Sequence, residues 1–198
     1  MILNLHGLYG KSENSAVKIF RKISAEETRS RYIISPQLEY QTMNPFDCVM
    51  KLDRLIRGEE DLDYVVGNSL GGFYAMCISW YYNVPCILTN PCVPPSKYIK
   101  RLVENYPSSW VDVFETISNN MTSFEFPVHV ILGMDDGVVD PNTTLQYLSE
   151  RDKLSFLREA MVDIDKIEGG MHRLSKHTKY ESAFRRMVYK VENSICSR

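Results

Sequence analysis

The sequence predicts an α/β protein in which a parallel sheet is covered by helices on both faces. Short β-rich apolar runs alternate with longer segments of helical period along the whole chain. No internal repeat or low-complexity stretch interrupts the alternation. The motifs that carry chemistry fall directly after strands, and ligands of a parallel sheet bind at the carboxyl ends of its strands.

In chain order, Ile2 to Leu5 opens the sheet as an apolar run ending at His6-Gly7, and Glu13 to Ile23 follows with helical period. Arg31 to Ser35 and Pro45 to Arg57 form the second strand–helix pair. Asp63 to Gly67 is a buried strand type, and Leu70 to Tyr82 is a nearly apolar helix, too short to cross a bilayer. Cys86 to Thr89 is the fourth strand. Two helices, Pro95 to Asn105 and Trp110 to Ser118, occupy the long connection after it. Val128 to Leu132 with Pro141 to Arg151, then Val162 to Ile167 with Lys176 to Glu192, complete the pattern. Alternation of this kind gives a three-layer α/β/α sandwich of about six parallel strands joined by right-handed crossovers.

At 198 residues the chain suits one domain spanning 1–198. Residues 91–126 form an unusually long connection containing Pro91, Pro94, Pro95 and Pro107. It reads equally as a small helical lid and as a layer that covers the sheet. Its Tyr98, Trp110 and Phe114 are the candidate substrate-binding side chains.

Hydrophobic residues make up 44% and charged residues 24%, an ordinary globular balance. A net charge of -2 gives no electrostatic reason to expect nucleic acid or a membrane surface as partner. The five cysteines are odd in number and none is spaced C-x-x-C, so neither a disulfide framework nor a zinc site is expected. Reduced thiols and a start without a basic or long apolar segment lead to the expectation of a cytoplasmic protein without a metal.

The strongest motif is Gly67-Asn68-Ser69-Leu70-Gly71, a G-x-S-x-G between a buried strand and a helix. A sharp strand-to-helix turn forces the serine into a strained conformation, so the positions two before and two after it need glycine. The hydroxyl then stands exposed above the sheet, at a helix amino end that favours negative charge. The bland alternative is a glycine turn in which Ser69 only caps the helix.

A nucleophilic serine needs a base, and four histidines compete. His129 lies within an apolar strand, His177 stands among Lys176, Lys179 and Arg173, and His6 ends the first strand. His172, on a loop after Gly169-Gly170 late in the chain, has the position and flexibility required, and is the expected base. The acid belongs in the loop after the penultimate strand, Gly133-Met134-Asp135-Asp136-Gly137-Val138-Val139-Asp140. Asp136, midway between its anchors, is the expected acid and Asp135 the runner-up. Asp140 reads as a helix cap before Pro141. The backbone N–H groups of Leu70 and Leu8 are the expected donors to an oxyanion, with His6 bracing the turn.

With these residues in place, the chain resembles the α/β-hydrolase superfamily and, within it, the YqiA-like esterases. The resemblance is carried by Leu5-His6-Gly7, by Val66-Gly67-Asn68-Ser69-Leu70-Gly71-Gly72 and by Asn90-Pro91-Cys92-Val93-Pro94-Pro95. Asp136-Gly137-Val138-Val139-Asp140 and Ile167-Glu168-Gly169-Gly170-Met171-His172 complete it. It implies a minimal hydrolase sheet lacking the first two strands, in the order 2-1-3-4-5-6. It also implies Ser69, Asp136 and His172 as a triad, and hydrolysis of short acyl esters or thioesters without a cofactor. Met171 departs from the family pattern, which often has a polar residue there.

The expected partner is therefore a small-molecule acyl ester. A thioesterase for coenzyme A esters and a binding protein that has lost catalysis are the alternatives. Arg173, Lys176 and Lys179 would attract an anionic carrier, although a solvated face explains them better.

Overall fold

The computed structural model describes residues 1–27, 32–59, 61–153 and 161–196. Six parallel strands form one sheet: β1 (Ile2–Leu5), β2 (Ile33–Ile34), β3 (Tyr64–Asn68), β4 (Cys86–Thr89), β5 (Val128–Gly133) and β6 (Val162–Ile167). Their order is β2-β1-β3-β4-β5-β6, as the resemblance implied. Among the described residues seven α-helices accompany them: α1 (Ser15–Glu27), α2 (Pro45–Arg57), α3 (Leu70–Tyr82), α4 (Ile99–Leu102), α5 (Ser108–Asn120), α6 (Pro141–Asp152) and α7 (Tyr180–Cys196).

The strand pleat divides the core in two. Leu3, Leu5, Val65, Leu88, Val130 and Leu132 point to one face and pack with α2, α3, α5 and α6. Their neighbours Ile2, Tyr64, Val66, Ile87 and Ile131 point to the other, against α1 and α7. Alternate residues of a strand face opposite sides, so a sheet covered twice is mostly apolar on both faces, as β1, β3, β4 and β5 are apart from Asn4, Asn68, Thr89 and His129. Leu70 through Ser79 of α3 are all buried, which explains why that helix has no polar face.

The departures from expectation have local causes. Strand β2 shrinks from Arg31–Ser35 to two residues paired with Ile2 and Leu3. Arg31 lies outside the described residues, and the Ser35 hydroxyl is drawn aside to the Ser12 carbonyl and the Asn4 side chain. Helix α1 starts at Ser15 because Asn14 accepts hydrogen bonds from the N–H groups of Ala16 and Val17. The helix expected over Pro95–Asn105 is a single 3₁₀ turn, Pro95–Lys97, followed by α4. Val103 is extended and Asn105 left-handed, which stops it. Helix α7 begins at Tyr180 rather than Lys176 because a 3₁₀ turn, Leu174–Lys176, and an extended His177 intervene.

Candidate active site

Ser69 joins β3 to α3 with φ 53° and ψ −121°, outside the conformations that suit an L-residue. Strain of this kind costs on the order of 1–3 kcal/mol and persists only where the surroundings over-determine it. They do so here. The Ser69 N–H donates to the Thr89 carbonyl at 2.9 Å, and its own carbonyl accepts from the N–H groups of Gly72 and Cys92 at 2.8 and 2.9 Å. The close turn also explains the flanking glycines. A Cβ on Gly67 would stand 2.4 Å from the Gly71 carbonyl oxygen, and one on Gly71 would stand 2.3 Å from that of His6. The Ser69 hydroxyl makes no capping bond to α3.

That hydroxyl faces His172 instead. Ser69 Oγ lies 2.9 Å from His172 Nε2, and His172 Nδ1 lies 2.7 Å from Asp136 Oδ2. Three residues separated by strand order thus meet at one sheet edge: Ser69 after β3, Asp136 after β5 and His172 after β6. The Asp136 side chain is 1% exposed and that of His172 is 21% exposed. Asp136 Oδ1 accepts the N–H groups of Val138 and Val139 at 2.8 and 3.0 Å. A carboxylate so occupied can only accept, so Nδ1 carries the imidazole proton and Nε2 is left to accept from Ser69.

The competing acidic residues go elsewhere. Asp135 is exposed, and its backbone N–H is tied to the Gly170 carbonyl. Asp140 caps α6 through the N–H groups of Asn142 and Thr143. The other histidines are occupied too. His129 is buried within β5 and faces Asp163 at 3.2 Å. His177 Nδ1 accepts the Lys179 N–H. His6 Nδ1 donates to the Gly7 carbonyl at 2.8 Å while its Nε2 accepts the Leu38 N–H at 3.0 Å, so both ring nitrogens brace the turn after β1. Burial holds its pKa below the ordinary imidazole value, so it stays neutral.

That turn abuts the serine: a Cβ on Gly7 would stand 3.1 Å from Ser69 Cβ. Among the described residues, the N–H groups of Leu8 and Leu70 meet no protein acceptor. They flank the serine from the first turn and from the start of α3. Cys92 lies alongside, but burial pushes its thiol up to about 12, so it stays protonated and does not compete as a nucleophile.

The three aromatics expected to contact substrate separate. Phe114 is fully buried in the core against Phe73 and Tyr74. It presents no surface to a ligand, which corrects its assignment. Tyr98 is 6% exposed and packs with Cys92 and Val139, directly behind the acid loop. Trp110 is half-buried against Tyr106. Two large apolar side chains stand exposed instead, Tyr9 in the turn after β1 and Met171 beside His172, 65% and 69% exposed. Helix α4 runs along the same rim. Its Leu102 carbonyl is 3.5 Å from Tyr9 Oη, and its Arg101 donates to the Val138 carbonyl.

Composition gave no hint of Asn90, which closes the site from below. It follows β4 with φ 42° and is completely buried. Its Nδ2 donates to the carbonyls of Met171 and His172, both at 3.1 Å, and its Oδ1 accepts the Gly133 N–H at 2.7 Å. The only sequence signal was an asparagine before proline at a strand end. Among the described residues, no group of three or more His, Cys, Asp or Glu is placed to hold a metal ion, and no helix is long and apolar enough to cross a membrane.

Comparison with known proteins agrees with this architecture. Residues 1–154 match the uncharacterised protein family UPF0227. Among solved structures, the chain is similar to the alpha/beta hydrolase domain-containing protein 10 from mouse, with a TM-score of 0.72 and 14% identity over 99% of this chain and 89% of that one. Est1E from Butyrivibrio proteoclasticus with ferulic acid bound superposes with a TM-score of 0.70 and 15% identity, over 96% and 89% of the two chains. The monoacylglycerol lipase of Paleococcus ferrophilus gives 0.66 and 14%, over 100% and 94%. At these identities the likeness is one of fold.

Proposed function

The chain belongs to the uncharacterised protein family UPF0227, the YqiA-like family, and from that membership and the geometry around Ser69 we propose that it is a serine hydrolase of carboxylic esters with short acyl groups. One observation carries the proposal: His172 touches Ser69 Oγ with one ring nitrogen and buried Asp136 with the other.

In the proposed mechanism, His172 Nε2 takes the Ser69 proton as Oγ attacks the ester carbonyl. The developing oxyanion is held by the N–H groups of Leu8 and Leu70, each worth about 3–4 kcal/mol of transition-state stabilisation. The tetrahedral intermediate collapses, its C–O bond to the alcohol breaks, and His172 returns the proton to that alcohol. Water then repeats the cycle on the acyl-enzyme. Asp136 fixes the tautomer and stabilises the imidazolium. No step uses a cofactor.

The ester-hydrolase reading is supported by a solved structure of similar fold that is a monoacylglycerol lipase by name. The preference for short acyl groups is what the resemblance to the YqiA-like esterases implies.

The test is a panel of p-nitrophenyl esters of increasing acyl length, with the matching thioesters. Turnover is expected to be highest for the shortest oxygen esters and to fall by several orders of magnitude in Ser69→Ala. A preference for thioesters would move the assignment to a thioesterase. Absence of turnover across both series would favour a binding protein.

A further inference from the structure

We propose that Asn90 is a positioning residue of the hydrolytic site, holding the His172 imidazole in reach of Ser69 through the main chain of the histidine loop. The inference rests on the serine-hydrolase reading above and extends it to a residue that touches none of the reacting atoms.

The problem Asn90 solves is topological. Ser69 follows β3, whereas His172 follows β6, the edge strand, and β4 and β5 lie between them. The histidine loop must therefore lean back across the ends of two strands. Asn90 stands at the end of β4, next to the serine's own strand, and reaches both remaining loops. Its two Nδ2 hydrogens go to the Met171 and His172 carbonyls, and its Oδ1 takes the N–H of Gly133, the last residue of β5. Its backbone N–H binds the Ile131 carbonyl at 3.0 Å.

The chemistry selects asparagine. The site needs two donors and one acceptor from a short side chain, and the carboxamide supplies that set. An aspartate would turn an anionic oxygen toward two carbonyls, and a leucine would take the partner from two carbonyls and from the buried Gly133 N–H. The left-handed backbone at 90 also suits asparagine better than most residues. The other backbone bonds of the histidine loop run to Ile167, Met134 and Asp135, within its own strand and its β5 neighbour. Among the described residues, only the Asn90 bond ties the carbonyl of His172 itself toward the serine's side of the sheet.

The experiment uses Asn90→Asp and Asn90→Ser in the full chain. Five quantities are read: the thermal midpoint, kcat and KM on p-nitrophenyl acetate, the rate of labelling by a fluorophosphonate, and the downfield proton resonance of the His172 Nδ1–H bound to Asp136. A folded variant is expected to lose about 100-fold in kcat and in labelling rate, the scale of a roughly 1 Å misplacement, with KM within about threefold. Its downfield resonance is expected to broaden or vanish. A folded variant that keeps the wild-type labelling rate and resonance would overturn the proposal. If neither variant folds, the wild-type protein decides. Through-hydrogen-bond NMR couplings from Asn90 Nδ2 to the carbonyls of residues 171 and 172 are expected, and their absence would overturn it. The resonance and couplings do not depend on turnover, so a wild-type protein inert toward esters and probe would sink the serine-hydrolase reading separately.

Discussion

At the residue scale, two side chains with every polar atom engaged set the behaviour of the site. Asp136 has one oxygen on two backbone N–H groups and the other on His172, so its role in the loop and its proposed role in catalysis are held by different atoms. Asp136→Asn would keep the size of the side chain but offer an amide where the imidazole needs an acceptor. On the proposed mechanism kcat falls by about 10⁴-fold through the wrong tautomer, with KM little changed; steady-state kinetics on a short ester checks it. His6 makes a prediction about stability. Burial is the largest influence on its pKa and lowers it, outweighing the Gly7 carbonyl and Glu39, and burial likewise lowers that of His129. Below about pH 6.5 an unfolded chain binds protons that these folded imidazoles refuse. Stability is therefore expected to be full above that pH and to decline as pH falls through it. Denaturant midpoints at pH 7.5 and 5.5 measure the decline, which His6→Gln together with His129→Gln should reduce; a flat wild-type profile would contradict this account.

At the element scale, the long connection resolves into two unlike parts. Ile99, Phe114, Phe124 and Phe126 are all buried at 1% or less, so these side chains anchor residues 91–126 in the core. Helix α4 touches the Tyr9 turn and the Val138 loop. We therefore propose that α5 does not open as a lid. Phe114→Ala should cost about 3–5 kcal/mol of stability, the usual cost of truncating a buried phenylalanine. At a temperature where the variant is folded, KM for a short ester should stay within about twofold. Chemical denaturation and kinetics on one preparation check both halves. The sheet edges follow a similar logic: β2 is only two residues long, and on β6 the carboxylates Asp163 and Asp165 are tied to Lys190 and Arg186 of α7. A short strand and charged side chains discourage an edge from pairing with another chain.

At the scale of the whole molecule, what could be read from the sequence follows the range of the interactions. Periodicity is local, so β1, α2, α3, β4 and β6 have the boundaries their patterns imply. Where a boundary depends on a cap or a partner, as with Asn14 before α1 or the two-residue pairing of β2, it shifts. Ser69, His172 and Asp136 were legible because a strained turn, a glycine-rich loop and an acidic loop each leave a residue-type signature beside a strand end. Asn90 was not legible, since its role is defined by acceptors 81 and 82 residues away. Nor was the fate of Phe114, because an aromatic on an amphipathic helix fits a core as well as a pocket until the neighbouring helices are in place.

The central claim is that distant loops deliver one base and one acid to one serine. Reaction with a fluorophosphonate followed by intact-mass and peptide mapping tests it most directly. The account predicts a single adduct per chain, on Ser69, abolished in Ser69→Ala and strongly slowed in His172→Ala. An adduct on any other residue, or undiminished labelling without the imidazole of residue 172, would contradict it.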